Sequence, residues 1–166
     1  MIPETLLPPE DVCREGGPFP VEHETDFDTE TMRGIWRLFQ AKRQGRALLG
    51  RQDIDPAEFV ALLPRVALFD VHYDPLRFRM RLAGTNWRRD LGFEPTGMWL
   101  DDWPHEGQRR LLIGSLAQVV TSARASLSRR RTVIDDITLH YEALILPLAA
   151  DGRVVDMLLT LSETLP

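Results

Sequence analysis

Cysteine and lysine are almost absent from this sequence, and each scarcity narrows what the protein can be. The one cysteine, Cys13, excludes an internal disulfide framework and any metal or iron–sulfur site that needs several thiolates of one chain. Lys42 is the single lysine among twenty basic residues, so the basic side chains are arginines. The net charge of −5 nevertheless argues against binding to duplex nucleic acid.

Long apolar runs are also missing. No stretch approaches the roughly 18 apolar residues that cross a bilayer, and residues 1–4 lack the basic-then-apolar order of a secretion signal. The sequence therefore predicts a cytoplasmic protein without a membrane segment. An apolar fraction of 43% in 166 residues is sufficient for one domain with a sizeable core.

Most enzyme signatures are absent as well. The sequence has no glycine-rich phosphate loop, no G-x-S-x-G nucleophile elbow and no H-E-x-x-H zinc motif. Its four histidines do not have the spacing of metal ligands; they are His23, His72, His105 and His140. We therefore expect neither catalysis nor a metal site. A small-molecule enzyme stays open as an alternative if titratable side chains converge in a cleft; the candidates are Asp101, Asp102, His105 and Glu142.

Negative charge is concentrated at the start of the chain. Residues 1–30 contain nine carboxylates and one arginine, so the rest of the chain is net basic. Residues 1–25 also contain repeated proline and glycine and have no hydrophobic periodicity. They predict an irregular acidic arm, which either is solvated or lies over an arginine-rich face of this or a neighbouring domain.

The clearest pattern that the chain contains lies between residues 76 and 102. Apolar and arginine side chains alternate at its start with the period of two that is typical of a strand with one buried face. After this strand, Gly84 interrupts the pattern, and residues 85–92 predict a short helix that ends at Gly92. The arginines form either a solvated face with acidic neighbours or a docking surface for an acidic partner. The inward set is Leu76, Phe78, Met80 and Leu82, and the outward set is Arg77, Arg79 and Arg81.

An N-terminal helix is predicted within residues 26–47. Apolar residues recur there at the spacing of one helix face; they are Met32, Ile35, Trp36 and Phe39. A later strand at residues 138–148 is apolar on both faces from Ala143 onward, so a second layer must cover it. The helix that carries Trp36 is the candidate, either within one chain or from a partner chain.

The remaining elements follow from periodicity and turn residues. Helices and strands fall in separate groups along the chain rather than in a regular alternation, which predicts an α+β fold rather than a parallel α/β fold. We expect a short helix at 55–64, a strand at 66–73, a long helix with one apolar face from about 104 to 127, a solvated loop at Arg129–Arg131, and strands at 132–134, 138–148 and 154–161.

Several local motifs resemble a known family. The motif R-F-R-x-R-L-x-G-T at residues 77–85, followed by Gly92 and then Thr96-Gly97, is similar to that of the small stand-alone PAS-type proteins of alphaproteobacteria. The resemblance extends over about Met32 to Leu161. The other landmarks that agree with it are Trp36, Asp53-Ile54-Asp55-Pro56, Leu63-Pro64, Tyr141-Glu142-Ala143-Leu144 and Pro147-Leu148.

This resemblance implies a fold and a broad role. It implies a five-stranded antiparallel sheet with helices packed on one face, to which this chain adds its N-terminal helix. It further implies a non-catalytic sensory or regulatory module of bacterial signalling that binds a small ligand, a partner protein or both, and that forms a homodimer through the Trp36 helix. Because no output domain is recognisable, we expect a downstream signalling protein as partner. We divide the chain into an acidic arm (1–25), the helix (26–47) and a PAS-like core (48–166).

The resemblance also implies a pocket between the sheet and the helices. The polar anchors would be Asn86 and Thr85, and aromatic and sulfur-containing side chains would form the walls. Such residues can equally form a filled core, which would make the protein an adaptor without a ligand. The ligand is unknown; haem and flavin are disfavoured, because His105 lies in the first turn of its helix and Asn86-Trp87-Arg88 has no thiol. The candidate lining is Phe78, Met80, Leu82, Asn86, Trp87, Leu91, Met98, Trp99, Leu112 and Leu116.

Overall fold

A computed structural model describes residues 18–134 and 136–165 of the chain. Within these residues, three α-helices and four 3₁₀ segments pack around one sheet. The α-helices are α1 (Glu30–Arg43), α2 (Thr85–Leu91) and α3 (Glu106–Ser122), and the 3₁₀ segments are Glu24–Asp26, Arg51–Asp53, Pro56–Arg65 and Leu100–Asp102. The strands are β1 (Phe19–Pro20), β2 (Ala67–His72), β3 (Arg77–Ala83), β4 (Ser126–Ile134), β5 (Ile137–Leu148) and β6 (Met157–Thr164).

The sheet has the strand order β1-β4-β5-β6-β2-β3, and every neighbouring pair is antiparallel. The predicted α+β fold with a PAS-like antiparallel sheet is therefore confirmed. A sixth strand is added at one edge, where Phe19 lies opposite Leu127. This strand belongs to the predicted irregular arm; residues 1–17 of that arm, including Cys13, lie outside the described residues. No described helix has the length and apolar character needed to cross a membrane.

Helix α1 packs on what we call the outer face of the sheet. Thr29 is its N-cap and accepts a hydrogen bond from the Met32 amide, and Gln44 ends it in the left-handed conformation. Its buried residues are the four of the predicted stripe: Met32, Ile35, Trp36 and Phe39. They join one core cluster with Leu144 and Leu146 of β5. Helix α1 thus covers the second apolar face of β5 within one chain.

The opposite, inner face of the sheet is covered by α2, α3 and the segment between them. Here Ile145 of β5 and Phe69 of β2 join a second core cluster with Trp103 and Leu116. At the entry to α2, the backbone of Gly84 passes close to that of Leu63. A Cβ at this position would lie 2.3 Å from the Leu63 carbonyl oxygen, so only glycine fits here. The sheet is therefore a shared wall between two separate apolar layers.

Two predicted boundaries in the second half of the chain were wrong. Helix α3 ends at Ser122, because Ala123 adopts a left-handed conformation with φ of 53°. Leu127, which we predicted on the helix, lies on β4 instead, and so do Arg129–Arg131, which we predicted in a loop. The cause is long-range, because β4 is defined by its pairing with β5 from Ser126 to Ile134.

The inward set of the arginine-alternating strand needs one correction. The pairing of β2 with β3 shifts between Leu68 and Phe69, so β3 contains an extra residue there. The bulge places Leu82 opposite Leu68 and outside the inward row of Phe78 and Met80. Leu82 is 44% exposed and does not face the inner layer, contrary to our prediction. Leu76 is also exposed, because it precedes the strand.

Candidate functional site

A cavity of about 180 Å³ lies between the inner face of the sheet and its helical cover. We call it the inner cavity. Its floor consists of inward residues of β5 and β6, and its roof comes from α2, the start of α3 and Trp103. The main floor residues are Leu139, Tyr141, Ala143, Ile145, Thr160 and Ser162, and the roof residues are Asn86, Trp87, Leu91, Trp103, Gln108 and Leu112.

The inner cavity lies over small side chains of two neighbouring strands. Ala143 of β5 is paired with Ser162 of β6, and both line the cavity. Residues opposite each other in a sheet share a face. Neither side chain is large enough to fill the space below the roof, so a hollow remains.

Two roof atoms are buried without a hydrogen-bond partner. The Trp103 indole Nε1 and the Gln108 amide Oε1 both belong to residues that line the inner cavity, and these residues are 2% and 8% exposed. A buried polar group without a partner costs on the order of 1–3 kcal/mol. Both atoms have almost no accessible surface, so a molecule in the cavity would not reach them.

Charged side chains at the inner cavity are predominantly positive. Arg65 and Arg130 both line it and are half-buried. Arg130 donates to the Ser115 hydroxyl at 3.3 Å, and Arg65 donates to the Thr164 hydroxyl. Arg89 also lines the cavity but forms an ion pair with the adjacent Asp90 at 2.8 Å. Among the described residues, no carboxylate forms an ion pair with Arg65 or Arg130.

Four of the ten residues that we proposed as a pocket lining do line the inner cavity: Asn86, Trp87, Leu91 and Leu112. Trp87 is held in the roof by a hydrogen bond from its indole nitrogen to the Arg65 carbonyl at 3.1 Å. The other inward residues pack in the inner core cluster beside the cavity; these are Phe78, Met80 and Leu116, with Met98 packed against them. Whether any of these residues contacts a ligand stays a prediction.

Trp99 has a different position from the one we expected. Its ring lies 4.1 Å from the Arg77 guanidinium and 4.8 Å from the His72 ring, and it does not line the inner cavity. The reason is that residues 97–99 run along the free edge of β3, where Met98 accepts a hydrogen bond from the Met80 amide at 2.9 Å. This segment protects an edge strand from further pairing.

The arginines of β3 find partners in their own chain. Arg77 pairs with Asp101 and Arg81 pairs with Asp70, each at 2.7 Å, and Arg79 donates to the Gly97 carbonyl at 2.8 Å. These arginines therefore form the solvated face with acidic neighbours that was one of the two alternatives. An acidic docking partner is not needed to explain it.

The residues that we proposed for a dimer contact are buried inside one chain. All four lie in the outer core cluster, namely Met32, Ile35, Trp36 and Phe39.

A side chain of the sheet, Glu142 of β5, also holds the start of α1. Glu142 is 0% exposed and accepts from the Asp28 amide at 2.8 Å and from the Thr29 amide and hydroxyl at 2.9 and 2.6 Å. Beside it, Arg129 pairs with Asp28.

Sequence reasoning missed the polar residues of the inner cavity. Arg65 and Gln108 lie near the ends of helical segments, where a polar residue is ordinary, and Trp103 directly precedes the predicted long helix and belongs to no periodic pattern. Arg130 belongs to a run of three arginines that suggested solvent. One signal was available: in β4, Ser126, Ser128 and Arg130 form an alternating polar set that could have been assigned to one face.

The titratable side chains that could have indicated an enzyme do not meet at the inner cavity. Asp101 is paired with Arg77, and Glu142 is on the outer face. Neither these two nor Asp102 and His105 line the cavity. Within the part of the chain that the structure describes, no group of three or more His, Cys, Asp or Glu could hold a metal ion.

Comparison with known proteins assigns the family. The model of the PAS domain family matches residues 27–161, which include the whole sheet except β1 and the last residues of β6. The chain belongs to the PAS domain family. No curated protein is significantly similar to it.

Solved structures of low sequence identity have similar arrangements of elements. A fungal LOV domain photoreceptor has 16% identity and a TM-score of 0.41, and the match covers 82% of this chain and 95% of that chain. The LOV protein of Rhodobacter sphaeroides has 12% identity and a TM-score of 0.40, with coverages of 80% and 68%. The N-terminal domain of a diguanylate cyclase with a PAS/PAC sensor, from Marinobacter aquaeolei, has 11% identity and a TM-score of 0.38, with coverages of 60% and 94%. At these values the likenesses say nothing about the function of this chain.

Proposed function

We propose that this protein is a non-catalytic sensory or regulatory module in which a small molecule occupies the inner cavity. The observation that carries the proposal is the hollow of about 180 Å³ beside two half-buried arginines, Arg65 and Arg130, which form no ion pair with a carboxylate of the described residues. A filled adaptor core would have no such space, whereas a small molecule fits into it. PAS family membership supports a signalling role for a module of this kind.

The output would pass through the sheet to α1. Tyr141 and Ala143 face the inner cavity, and Glu142 between them holds the start of α1 on the outer face. A ligand that moves this part of β5 would therefore change how firmly α1 is held. A ligand shifts such an equilibrium only through its different affinities for the two states.

Native mass spectrometry of the full chain, purified from its own host, tests the ligand. We expect a bound small molecule that is released on denaturation. Ala143→Phe should abolish its retention because the new ring fills the hollow, while the matched control Ala61→Phe, at an exposed position, should retain it. Retention by both variants, or by neither them nor the unmodified protein, would contradict a ligand in the inner cavity and leave the adaptor role.

Hydrogen exchange tests the output. We expect amides in the first turn of α1 to exchange at different rates with and without the retained molecule, since Glu142 is their anchor. Equal rates in the two forms would show that binding does not reach α1.

We further propose that the protein acts in the cytoplasm as a homodimer and passes its signal to a partner protein. Family membership supports this, since PAS domains commonly associate. Because the apolar stripe of α1 is already buried, a dimer that keeps this fold would use another surface. Light scattering of the full chain over a range of concentrations should give twice the chain mass of 19.0 kDa. A constant monomer mass would remove the dimer from the proposal.

A further inference from the structure

The edge of β4 that faces away from β5 is paired over only part of its length. β1 pairs with it at Leu127 and Ser126, and the Val21 amide donates to the Ala125 carbonyl at 3.0 Å. Along residues 128–134, no strand of the described residues lies against this edge, which we call the free edge of β4. A strand edge with unpaired N–H and C=O groups is a surface on which a further strand can pair.

The hydrogen bond between Val21 and Ala125 determines which backbone groups point to the free edge. Residues of an antiparallel pair alternate between hydrogen-bonded and non-hydrogen-bonded positions. Since the Ala125 carbonyl points toward β1, the backbone groups of Leu127, Arg129 and Arg131 point to the same side. Leu127 lies opposite β1, whereas Arg129 and Arg131 have no strand opposite them on this side in the described part of the chain.

The residues that precede β1 have the right direction and length to fill the free edge. Because β1 runs antiparallel to β4, each residue before Phe19 would lie one position further along β4. In the same register, Val12 would lie opposite Ile134, where β4 ends. The segment 12–17 is therefore as long as the free edge.

The prolines of this region fit the same register. Pro20 lies opposite Ser126, at a position where the backbone nitrogen points away from β4, and Pro18, two residues earlier, would have its nitrogen on the same side. Proline has no N–H, so an edge strand accepts it where the N–H would face solvent. The segment 12–17 contains no proline, and the next one back, Pro9, would lie beyond the end of β4.

The charges across the free edge also match. Arg131 is exposed, and among the described residues it has no ion-pair partner. In the register of β1, Glu15 would lie directly opposite Arg131, where opposite charges stabilise a strand pair. Gly17 would lie opposite Arg129, and it has no side chain that could crowd the ion pair of Arg129 with Asp28.

We propose that the segment 12–17 extends β1 along the free edge of β4, held by backbone hydrogen bonds and by an ion pair between Glu15 and Arg131. The segment thereby closes a surface to which a strand of another chain could bind. Gly16 and Gly17 connect it to β1 and weaken its pairing, because glycine loses the most conformational freedom on ordering. The cover is therefore displaceable, and a partner strand that binds β4 must first replace it. This proposal does not depend on a ligand in the inner cavity.

Hydrogen exchange of the full chain, resolved by NMR, tests the pairing. We expect the Arg131 amide to exchange at least about 10-fold more slowly than an unpaired amide, because the Glu15 carbonyl accepts from it. Gly17→Pro should abolish this protection, since it removes the N–H that would bind the Arg129 carbonyl. Gly16→Pro is the matched control: its N–H would face solvent, so the exchange rate should change less than about twofold. An unprotected Arg131 amide in the unmodified chain, or equal effects of the two prolines, would overturn the proposal.

Disulfide formation tests the register. In a Cys13→Ser background, Glu15→Cys combined with Arg131→Cys places two thiols on opposite residues of a hydrogen-bonded pair, whose Cα atoms are about 5.5 Å apart and within the range of a disulfide. We expect oxidised glutathione to link them within one chain, as measured by peptide mapping. Arg130→Cys in place of Arg131→Cys is the matched control, because Arg130 lies on the other face and donates to Ser115. Equal linking of the two pairs would contradict the register.

Charge exchange tests the ion pair. Glu15→Arg should raise the exchange rate of the Arg129 amide about 2-fold to 5-fold, because like charges then face each other. Arg131→Glu should have the same effect. The double variant Glu15→Arg/Arg131→Glu should restore the original rate, since it restores opposite charges at the same two positions. Additive effects in the double variant would show that the two side chains are not neighbours and would overturn the ion pair.

Discussion

The outer and inner faces of β5 come from the same stretch of chain, yet they are used differently. On the outer face, Leu144 and Leu146 pack against α1, and the buried carboxylate of Glu142 has three hydrogen bonds. On the inner face, Ala143 lies under a hollow whose roof contains unpartnered polar atoms. The outer face is a filled layer with a satisfied anchor, and the inner face is an unfilled one.

This difference indicates where a signal can enter and what it can move. A filled layer resists change because its side chains are close-packed. A hollow lined mainly by apolar side chains can take up additional atoms, and their burial is favourable. The strand between them is a direct mechanical link, since consecutive residues alternate between the layers. Four experiments would sharpen or break this comparison.

The largest effect is expected from Trp36→Ala in the outer layer. Trp36 is 5% exposed and packs against Phe27 with ring centroids 5.9 Å apart. Its loss should lower the free energy of unfolding by about 3–5 kcal/mol, measured by urea denaturation. Trp99→Ala is the control: this ring is half-exposed, and its loss should cost less than about 1 kcal/mol. Similar costs for both would mean that α1 is not a structural layer.

Glu142→Gln should have the next largest effect. The amide keeps one oxygen but turns an NH₂ group toward donors at Asp28 and Thr29, so at least one buried donor is left unsatisfied. We expect a loss of about 1–3 kcal/mol in unfolding free energy. Glu163→Gln, on the neighbouring strand opposite Glu142, removes only a contact with the adjacent Thr164 amide and should be nearly neutral. Equal losses would show that Glu142 does not anchor α1.

Enlarging two adjacent residues of β5, one on each face of the sheet, tests whether the two faces are equally filled. Leu144→Phe enlarges a side chain in the filled outer layer and should cost about 1–3 kcal/mol. Ala143→Val adds two methyl groups to the hollow and should leave stability unchanged or raise it by up to about 1 kcal/mol. Thermal unfolding measures both. If Ala143→Val destabilises as much as Leu144→Phe, the inner face is as full as the outer one.

The smallest effect on stability is expected from removal of the Asp26 carboxylate, and this effect depends on pH. The backbone amides of His23 and Glu22 donate to the Asp26 carboxylate at 3.0 and 2.9 Å and lower its pKa from the usual 3.8. A lowered pKa in the folded state means that this stabilisation is complete above pH 3.8 and is lost as the pH falls below it. Asp26→Asn should therefore lower the urea midpoint slightly at pH 7 and less at pH 3. A difference that grows in acid would contradict this sign.

Several features were predictable from local sequence. The period-two alternation of Phe78 and Met80 and the helical spacing of Trp36 and Phe39 identified their elements and buried faces correctly. Both patterns depend only on neighbours a few residues away. Leu82 does not follow the alternation of β3. The β-bulge beside it arises from the pairing of β3 with β2, and the sequence of β3 alone does not specify that pairing.

The inner cavity was predictable only in outline. Asn86, Trp87, Leu91 and Leu112 follow from the position of α2 and α3 above the sheet. Arg65 and Arg130 do not, since they are 65 residues apart in the chain and meet the same cavity only through the register of β4, β5 and β6. A register is a long-range property, and no local pattern in either segment specifies it.

By itself, the sequence determined the class of fold, the existence of a second layer over β5 and the lack of any familiar catalytic motif, because periodicity and residue chemistry are local properties. The tertiary structure decided which side chains are neighbours: that α1 covers its own sheet, that Glu142 anchors it, and that small residues of β5 and β6 coincide to leave a hollow. Those outcomes depend on strand register and on how far side chains reach across the space between the layers, and both are fixed only when distant segments pack together.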